Sequence, residues 1–186
     1  VQINMDIYSK AAIVKDVQNN KVLASKNAEE RIYPASMTKV LTALIAVEEL
    51  SDLDEKIKIP VEEVLAEYER GASMAGFQPG EEVSAKDLLY GLMLPSGAEC
   101  CIALACKISG SEEAFAEKMN ERAKELGMLS SHFVNASGLH EEDHYTTVTD
   151  IMILLEQAIK NKTFYDIFTT RSYTTCLLYT SPSPRD

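Results

Sequence analysis

The sequence predicts an α/β chain of the α+β kind, with a short N-terminal strand pair followed by a mostly helical region. Three observations predict it. Two β-rich runs, Ala11–Asp16 and Lys21–Ser25, flank a turn-prone Val17-Gln18-Asn19-Asn20. Beyond Ser36, apolar residues recur at helical spacing in successive segments. Those segments are separated by capping residues, glycines and prolines.

Taken in order, the two β-rich runs and the turn between them read as a hairpin. Pro34 ends the extended approach, and Ser36 falls at or near the first turn of a helix over Met37–Leu50. Ile57–Ile59 is strand-like and Val61–Arg70 helical. Gly71–Glu82 carries three glycines and a proline, which predicts loops or a small hairpin. Ser84-Ala85-Lys86-Asp87 reads as a capping signal ahead of Leu88–Leu94. Pro95-Ser96-Gly97 breaks that helix, and Glu99–Ile108 begins another. Ser111-Glu112-Glu113 caps Ala114–Leu126, which Gly127 stops. Ser130–Tyr145 is irregular; Thr149-Asp150 then opens Ile151–Lys160, with Asn161 as its stop. No internal repeat is visible.

The 186 residues, 46% hydrophobic and 25% charged, suit one globular domain or one and a half. A net charge of −11 without a Lys/Arg cluster argues against a nucleic-acid partner. An acidic chain can still bind anionic peptides at a local cationic site. No apolar run approaches the ~20 residues of a membrane helix. Val1–Lys10 lacks the basic-then-apolar pattern of a signal peptide. Cys100, Cys101 and Cys106 crowd one apolar stretch and read as buried thiols on a helix, with Cys176 apart from them. Glu62, Glu63, Glu67 and Glu69 read as a solvated face, and His132 as structural.

The last eleven residues, Cys176–Asp186 (CLLYTSPSPRD), break the pattern. All eleven fit one reading frame of a transposase adapter used in sequencing libraries, so residues 176–186 are expected to be a non-native tail on a domain spanning 1–175. A disordered Pro/Ser tail is the plainer alternative.

Ser36-Met37-Thr38-Lys39 forms S-x-x-K at the start of an apolar helix. Positions i and i+3 share a helix face, so the Lys39 amine can reach the Ser36 hydroxyl. A serine hydroxyl is a poor nucleophile until a base takes its proton. A lysine serves where its surroundings disfavour the charged form. Backbone N–H groups at the helix start favour a developing oxyanion. Taken alone, S-x-x-K also fits a capping serine beside a solvated lysine.

The stretch Ile32-Tyr33-Pro34-Ala35-Ser36-Met37-Thr38-Lys39-Val40-Leu41 resembles the nucleophile helix of the serine D-alanyl-D-alanine carboxypeptidases, the low-molecular-weight penicillin-binding proteins of peptidase S11 type. Leu94-Pro95-Ser96-Gly97-Ala98-Glu99 stands where that family carries S-x-N. Phe133-Val134-Asn135-Ala136-Ser137-Gly138-Leu139-His140 and Ile167-Phe168-Thr169-Thr170 resemble further family segments. The resemblance runs from about Ala11 to Tyr173 and rests on an ordered set of motifs.

The resemblance implies the fold shared by serine β-lactamases and penicillin-binding proteins, in which an antiparallel sheet built from both chain ends packs beside helices. It implies acyl transfer with Ser36 as nucleophile, Lys39 as base and Ser96 as proton relay to the leaving amine. The implied substrate is a peptidoglycan stem peptide ending in D-Ala-D-Ala, with β-lactams as covalent inhibitors. It implies an extracytoplasmic location, a membrane anchor in some parents, and no cofactor or metal. Two departures stand out. Ala98 occupies the substrate-binding position of the family Asn and cannot hydrogen-bond the substrate amide or hold Lys39. The family's K-T-G strand is not found, because Lys162-Thr163-Phe164 lies too early and lacks the glycine. Truncation near Thr175 accounts for that, and the chain as written is then expected to be inactive and poorly stable, its hairpin left with an unpaired edge.

Three alternatives remain. A serine β-lactamase shares S-x-x-K and adds a Glu for the deacylating water. A non-catalytic homologue that only binds peptidoglycan peptides would suit Ala98. His140-Glu141-Glu142-Asp143-His144 matches the zinc-protease H-E-x-x-H, which works only on a helix. Here the flanks are polar and Gly138 precedes closely, so a loop is expected instead.

Overall fold

The computed structural model describes residues 7–175. The expected tail, 176–186, with Cys176, lies outside them.

The N-terminal hairpin forms as the alternating runs predict. β1 (Ala12–Asp16) pairs antiparallel with β2 (Lys21–Lys26), and the register slips between Val14 and Lys15, leaving Leu23 as an extra residue. Among the described residues no other strand joins this pair. Val14, Val22 and Leu23 remain exposed on it. β1 packs on a later helix, where Lys15 pairs with Glu156 at 2.7 Å.

A 3-10 turn (Ala35–Met37) leads into α1 (Thr38–Glu49). Every residue of α1 from Thr38 to Ala46 is buried except that Val40 sits at the margin, 9% exposed. A helix buried on every side belongs at the centre of a core, and its polar Thr38, Lys39 and Thr42 are satisfied by hydrogen bonds. α4 (Ala98–Ser109) is its counterpart, buried from Ala98 through Ala105. The remaining helices pack around this pair: α2 (Val61–Glu69), α3 (Ala85–Met93), α5 (Glu112–Leu126), α6 (Val148–Ala158) and α7 (Lys162–Thr169). α5 shows one apolar face, burying Phe115, Ala116, Met119 and Ala123 at helical spacing.

Local signals explain the helix ends. Ser84 accepts the Asp87 N–H, and Ser111 accepts the Ala114 N–H, so both predicted caps form. Gly127 ends α5 in the left-handed conformation at φ 90°. The strand-like Ile57 stretch becomes β3 (Lys56–Lys58), paired antiparallel with β4 (Glu82–Ser84). Residues 130–146 are irregular, held by single bridges from Ile32 to Thr146 and from His132 to Tyr145.

Three expectations change. α6 opens earlier than Thr149, because Thr147 is the cap and accepts the Asp150 N–H. Asn161 does not stop a helix; its side chain starts α7 by accepting the Phe164 N–H at 3.1 Å. Glu67 leaves the expected solvated face: it is 5% exposed, because α2 turns it toward the 135–144 loop.

Candidate active site

The S-x-x-K residues meet as the helical spacing requires. Ser36 sits exposed in the 3-10 turn, and Lys39, one turn later in α1, is buried. Lys39 Nζ lies 3.4 Å from Ser36 Oγ and donates to the Ser137 carbonyl at 2.6 Å. Ser96 Oγ donates to Ser36 Oγ at 2.9 Å. Ser36 therefore stands between the amine and the second hydroxyl, two residues that the sequence places 57 positions apart.

Ser96 reaches that position because the α3–α4 break is sharply turned. Ser96 itself adopts φ 66°, and Ala35, beside the nucleophile, adopts φ 48°. Left-handed backbone at non-glycine residues costs of order 1–3 kcal/mol and gathers at functional sites. The Gly97 N–H bonds the Gly91 carbonyl at 2.9 Å, and the Ala98 N–H bonds the Ser73 carbonyl at 2.8 Å. Glu99, fully buried, accepts three successive backbone N–H groups through one oxygen: Ala75 at 2.7 Å, Gly76 at 2.8 Å and Phe77 at 3.2 Å. That clamp fastens the 73–77 segment to the Ser96 turn. Ala98 is buried in the first turn of α4 and offers only a methyl group.

The opposite wall is the 135–144 loop, gripped by one face of α1. Thr42 donates to the Ala136 carbonyl at 2.8 Å, and Thr38 bonds the His144 ring at 2.8 Å. Within the loop, Asn135 bonds the Gly138 N–H at 2.7 Å and the Leu139 carbonyl at 2.8 Å, closing a tight turn. His144 Nδ1 accepts the Val134 N–H at 3.2 Å, so Nε2 carries the ring proton and donates it to Thr38. Burial, helped by the neighbouring His132 and His140, lowers the His144 pKa to about 4. His140 points elsewhere and meets the Tyr33 ring edge-on. The H-E-x-x-H pattern thus lies in a loop, with one histidine serving as a structural prop.

Sequence reasoning singled out Ser36, Lys39 and Ser96, and the structure brings these together. It missed Ser137, Glu67 and Glu99 as parts of the site. Phe133–His140 was legible as a segment, but nothing in the sequence says which of its carbonyls meets Lys39.

Comparison with known proteins identifies the family and the fold. The family described as D-alanyl-D-alanine carboxypeptidase, peptidase S11, matches residues 1–181. D-alanyl-D-alanine carboxypeptidase DacF of Bacillus subtilis is 42% identical over 156 residues, covering 82% of this chain and 39% of that protein. The D-alanyl-D-alanine carboxypeptidase of a Streptomyces species, strain K15, is 34% identical over 160 residues, covering 82% of this chain and 55% of that protein. The chain thus spans about half the length of these relatives or less. Among solved structures, the Streptomyces K15 DD-transpeptidase superposes with a TM-score of 0.85 at 30% identity, covering 93% of this chain and 69% of that one. DacD of Francisella tularensis gives a TM-score of 0.82 at 31% identity, covering 90% of this chain and 41% of that one. On sequence, fold and site geometry together, the chain belongs to the peptidase S11 family of D-alanyl-D-alanine carboxypeptidases.

Proposed function

We propose that this chain carries the nucleophile half of a serine D-Ala-D-Ala carboxypeptidase site, acting outside the cytoplasmic membrane on peptidoglycan stem peptides. The observation that carries the reading is the array Ser96–Ser36–Lys39, with spacings of 2.9 and 3.4 Å. A neutral Lys39 amine that donates one N–H to the Ser137 carbonyl keeps its lone pair for the Ser36 proton. The Ser36 oxygen then bonds the carbonyl carbon of the penultimate D-Ala. As the tetrahedral intermediate collapses, the C–N bond breaks and the departing D-Ala nitrogen takes a proton through Ser96. Water hydrolyses the acyl-serine and restores Ser36. A β-lactam ring opened by the same attack leaves a covalent adduct on Ser36.

Ala98 supports a second reading. A methyl group stands where the family carries an amide, which suits a homologue that binds such peptides and turns them over slowly or not at all. Fluorescent penicillin added to the full-length gene product decides between them. The first reading expects an adduct on Ser36, lost in Ser36→Ala, together with D-Ala release from a peptide ending in D-Ala-D-Ala. An adduct without D-Ala release favours the second reading. No adduct at Ser36 overturns the first reading.

A further inference from the structure

We propose that Glu67 is a positioning residue for Lys39, acting through Ser137; this rests on the reading of Lys39 as the base for Ser36. The dipeptide Ala136-Ser137 is strung between two sets of groups. On one side, Thr42 and Lys39 of α1 donate to its two carbonyls, at 2.8 and 2.6 Å. On the other side two carboxylates hold it. Glu112 of α5 accepts the Ala136 N–H at 2.9 Å, and Glu67 of α2 accepts the Ser137 hydroxyl proton at 3.1 Å. Glu67 and Ser137 are 5% and 3% exposed, so the contact is shielded from solvent in the folded chain.

The contact matters because the Ser137–Gly138 peptide, held at its carbonyl by Lys39 and at its N–H by Asn135 at 2.7 Å, has no side chain at Gly138 to seat it further. Gly138 has φ 85°, and glycine lacks the Cβ that restricts backbone rotation elsewhere. The Ser137 hydroxyl adds a second hold on this peptide, beside the Asn135 bond, from the side away from α1. It donates to Glu67 and accepts the Leu139 N–H at 3.3 Å. Glu67 is itself braced by Arg70 at 3.2 Å, which pairs in turn with Glu141. Arg70 is 47% exposed, so its pairs contribute little stability alone. Their evident effect is to aim Glu67. With the hydroxyl anchored, the Ser137 carbonyl points at Lys39 Nζ and holds the amine within reach of Ser36. Glu67 also lines an open cleft of about 600 Å³, so shortening its side chain leaves room for water rather than an apolar void.

The test uses the full-length gene product as wild type, Glu67→Ala, Glu67→Gln and Ser137→Ala. The Lys39 side-chain nitrogen resonance is assigned from its disappearance in Lys39→Arg. Glu67→Ala and Ser137→Ala are expected to shift it toward the solvent-exposed lysines, while the other lysine resonances stay in place. Glu67→Gln, whose amide oxygen still accepts the Ser137 proton, is expected to keep the wild-type position. In parallel, penicillin acylation of Ser36 is expected to slow by about tenfold or more in both Ala variants and to be restored largely by Gln. An unmoved Lys39 resonance in either folded Ala variant overturns the proposal. Ser137→Ala removes a single oxygen and keeps the test open should Glu67→Ala fail to fold. Absence of any adduct in wild type overturns the reading of Ser36 instead, and the resonance comparison still decides the role of Glu67.

Discussion

Gly138 lies so close to Ala35 that a Cβ added to it would stand 1.9 Å from the Ala35 carbonyl oxygen. The loop carrying Ser137 is thus pressed directly against the backbone that presents Ser36. The obstructing atom belongs to the main chain, which cannot rotate aside as a side chain would. Gly138→Ala should therefore destabilise the chain by about 3 kcal/mol or more and abolish Ser36 acylation. Gly110→Ala is the control, because Gly110 has nearly the same φ, 84°, with nothing within 4 Å of an added Cβ. It should cost only about 1 kcal/mol, the penalty of the left-handed backbone. Urea midpoints for the two variants measure the difference. Equal midpoints would remove the close approach as the cause.

His144 gives the chain a pH-dependent stability whose sign can be worked out. Burial holds its pKa at about 4, below the ordinary 6.5. Above pH 6.5 the ring is neutral in both folded and unfolded chains and contributes no pH dependence. Between 6.5 and about 4 the unfolded chain binds a proton that the folded chain refuses. Stability present above pH 6.5 is accordingly lost as pH falls through that window, by up to roughly 3 kcal/mol. Glu112 acts in the opposite direction, since burial raises its carboxyl and favours the folded state at low pH. The difference between wild type and His144→Gln isolates the histidine. Melting temperatures from pH 7 to 4 should fall more steeply for wild type than for the variant. Parallel curves would show that burial does not hold the ring neutral.

Glu99 tests how the Ser96 turn is held. Its Oε1 takes three backbone N–H groups from the 75–77 segment. Glu99→Ala should cost about 2 kcal/mol as those donors lose their acceptor. It should also slow acylation, because the Ser96 turn leans on that segment. Glu99→Gln keeps one acceptor oxygen and should lie between the two. A Glu99→Ala protein with wild-type stability and wild-type acylation would show the clamp to be idle.

The parts of this fold written in nearby residues were legible. Ser84 and Ser111 cap helices because the backbone N–H donors they accept lie three residues on. Ser36 and Lys39 meet because one helical turn brings them together. Interactions across long separations were not. The sequence around Glu67 looks like a solvated face, with Glu62, Glu63 and Glu69 nearby. Only the loop that arrives 70 positions later, bringing Ser137, makes position 67 interior. α7 is illegible for another reason: its eight residues, with Phe164 and Ile167 buried, are shorter than the span over which helical periodicity is read. The pattern His140–His144 matches a metal-binding motif by spacing alone. Its real use depends on Thr38, 106 positions away.

Single substitutions separate the three residues of the array by what each can supply. Ser36→Ala removes the attacking oxygen and should leave no penicillin adduct. Lys39→Arg keeps a positive charge but puts a guanidinium, which does not lose its proton near neutral pH, where an amine must accept one. It too should form no adduct, although the charge is conserved. Ser96→Ala removes only the hydroxyl that donates to Ser36 at 2.9 Å. Ser36 and Lys39 keep their own contact, so acylation should persist but slow by about 100-fold, in the range general acid–base groups contribute. The loss should fall on the acylation rate rather than on penicillin binding, which stopped-flow labelling over a range of concentrations resolves. Wild-type rates in Ser96→Ala would mean that the leaving nitrogen takes its proton elsewhere, and the Ser96–Ser36 bond would then be a feature of the resting site alone.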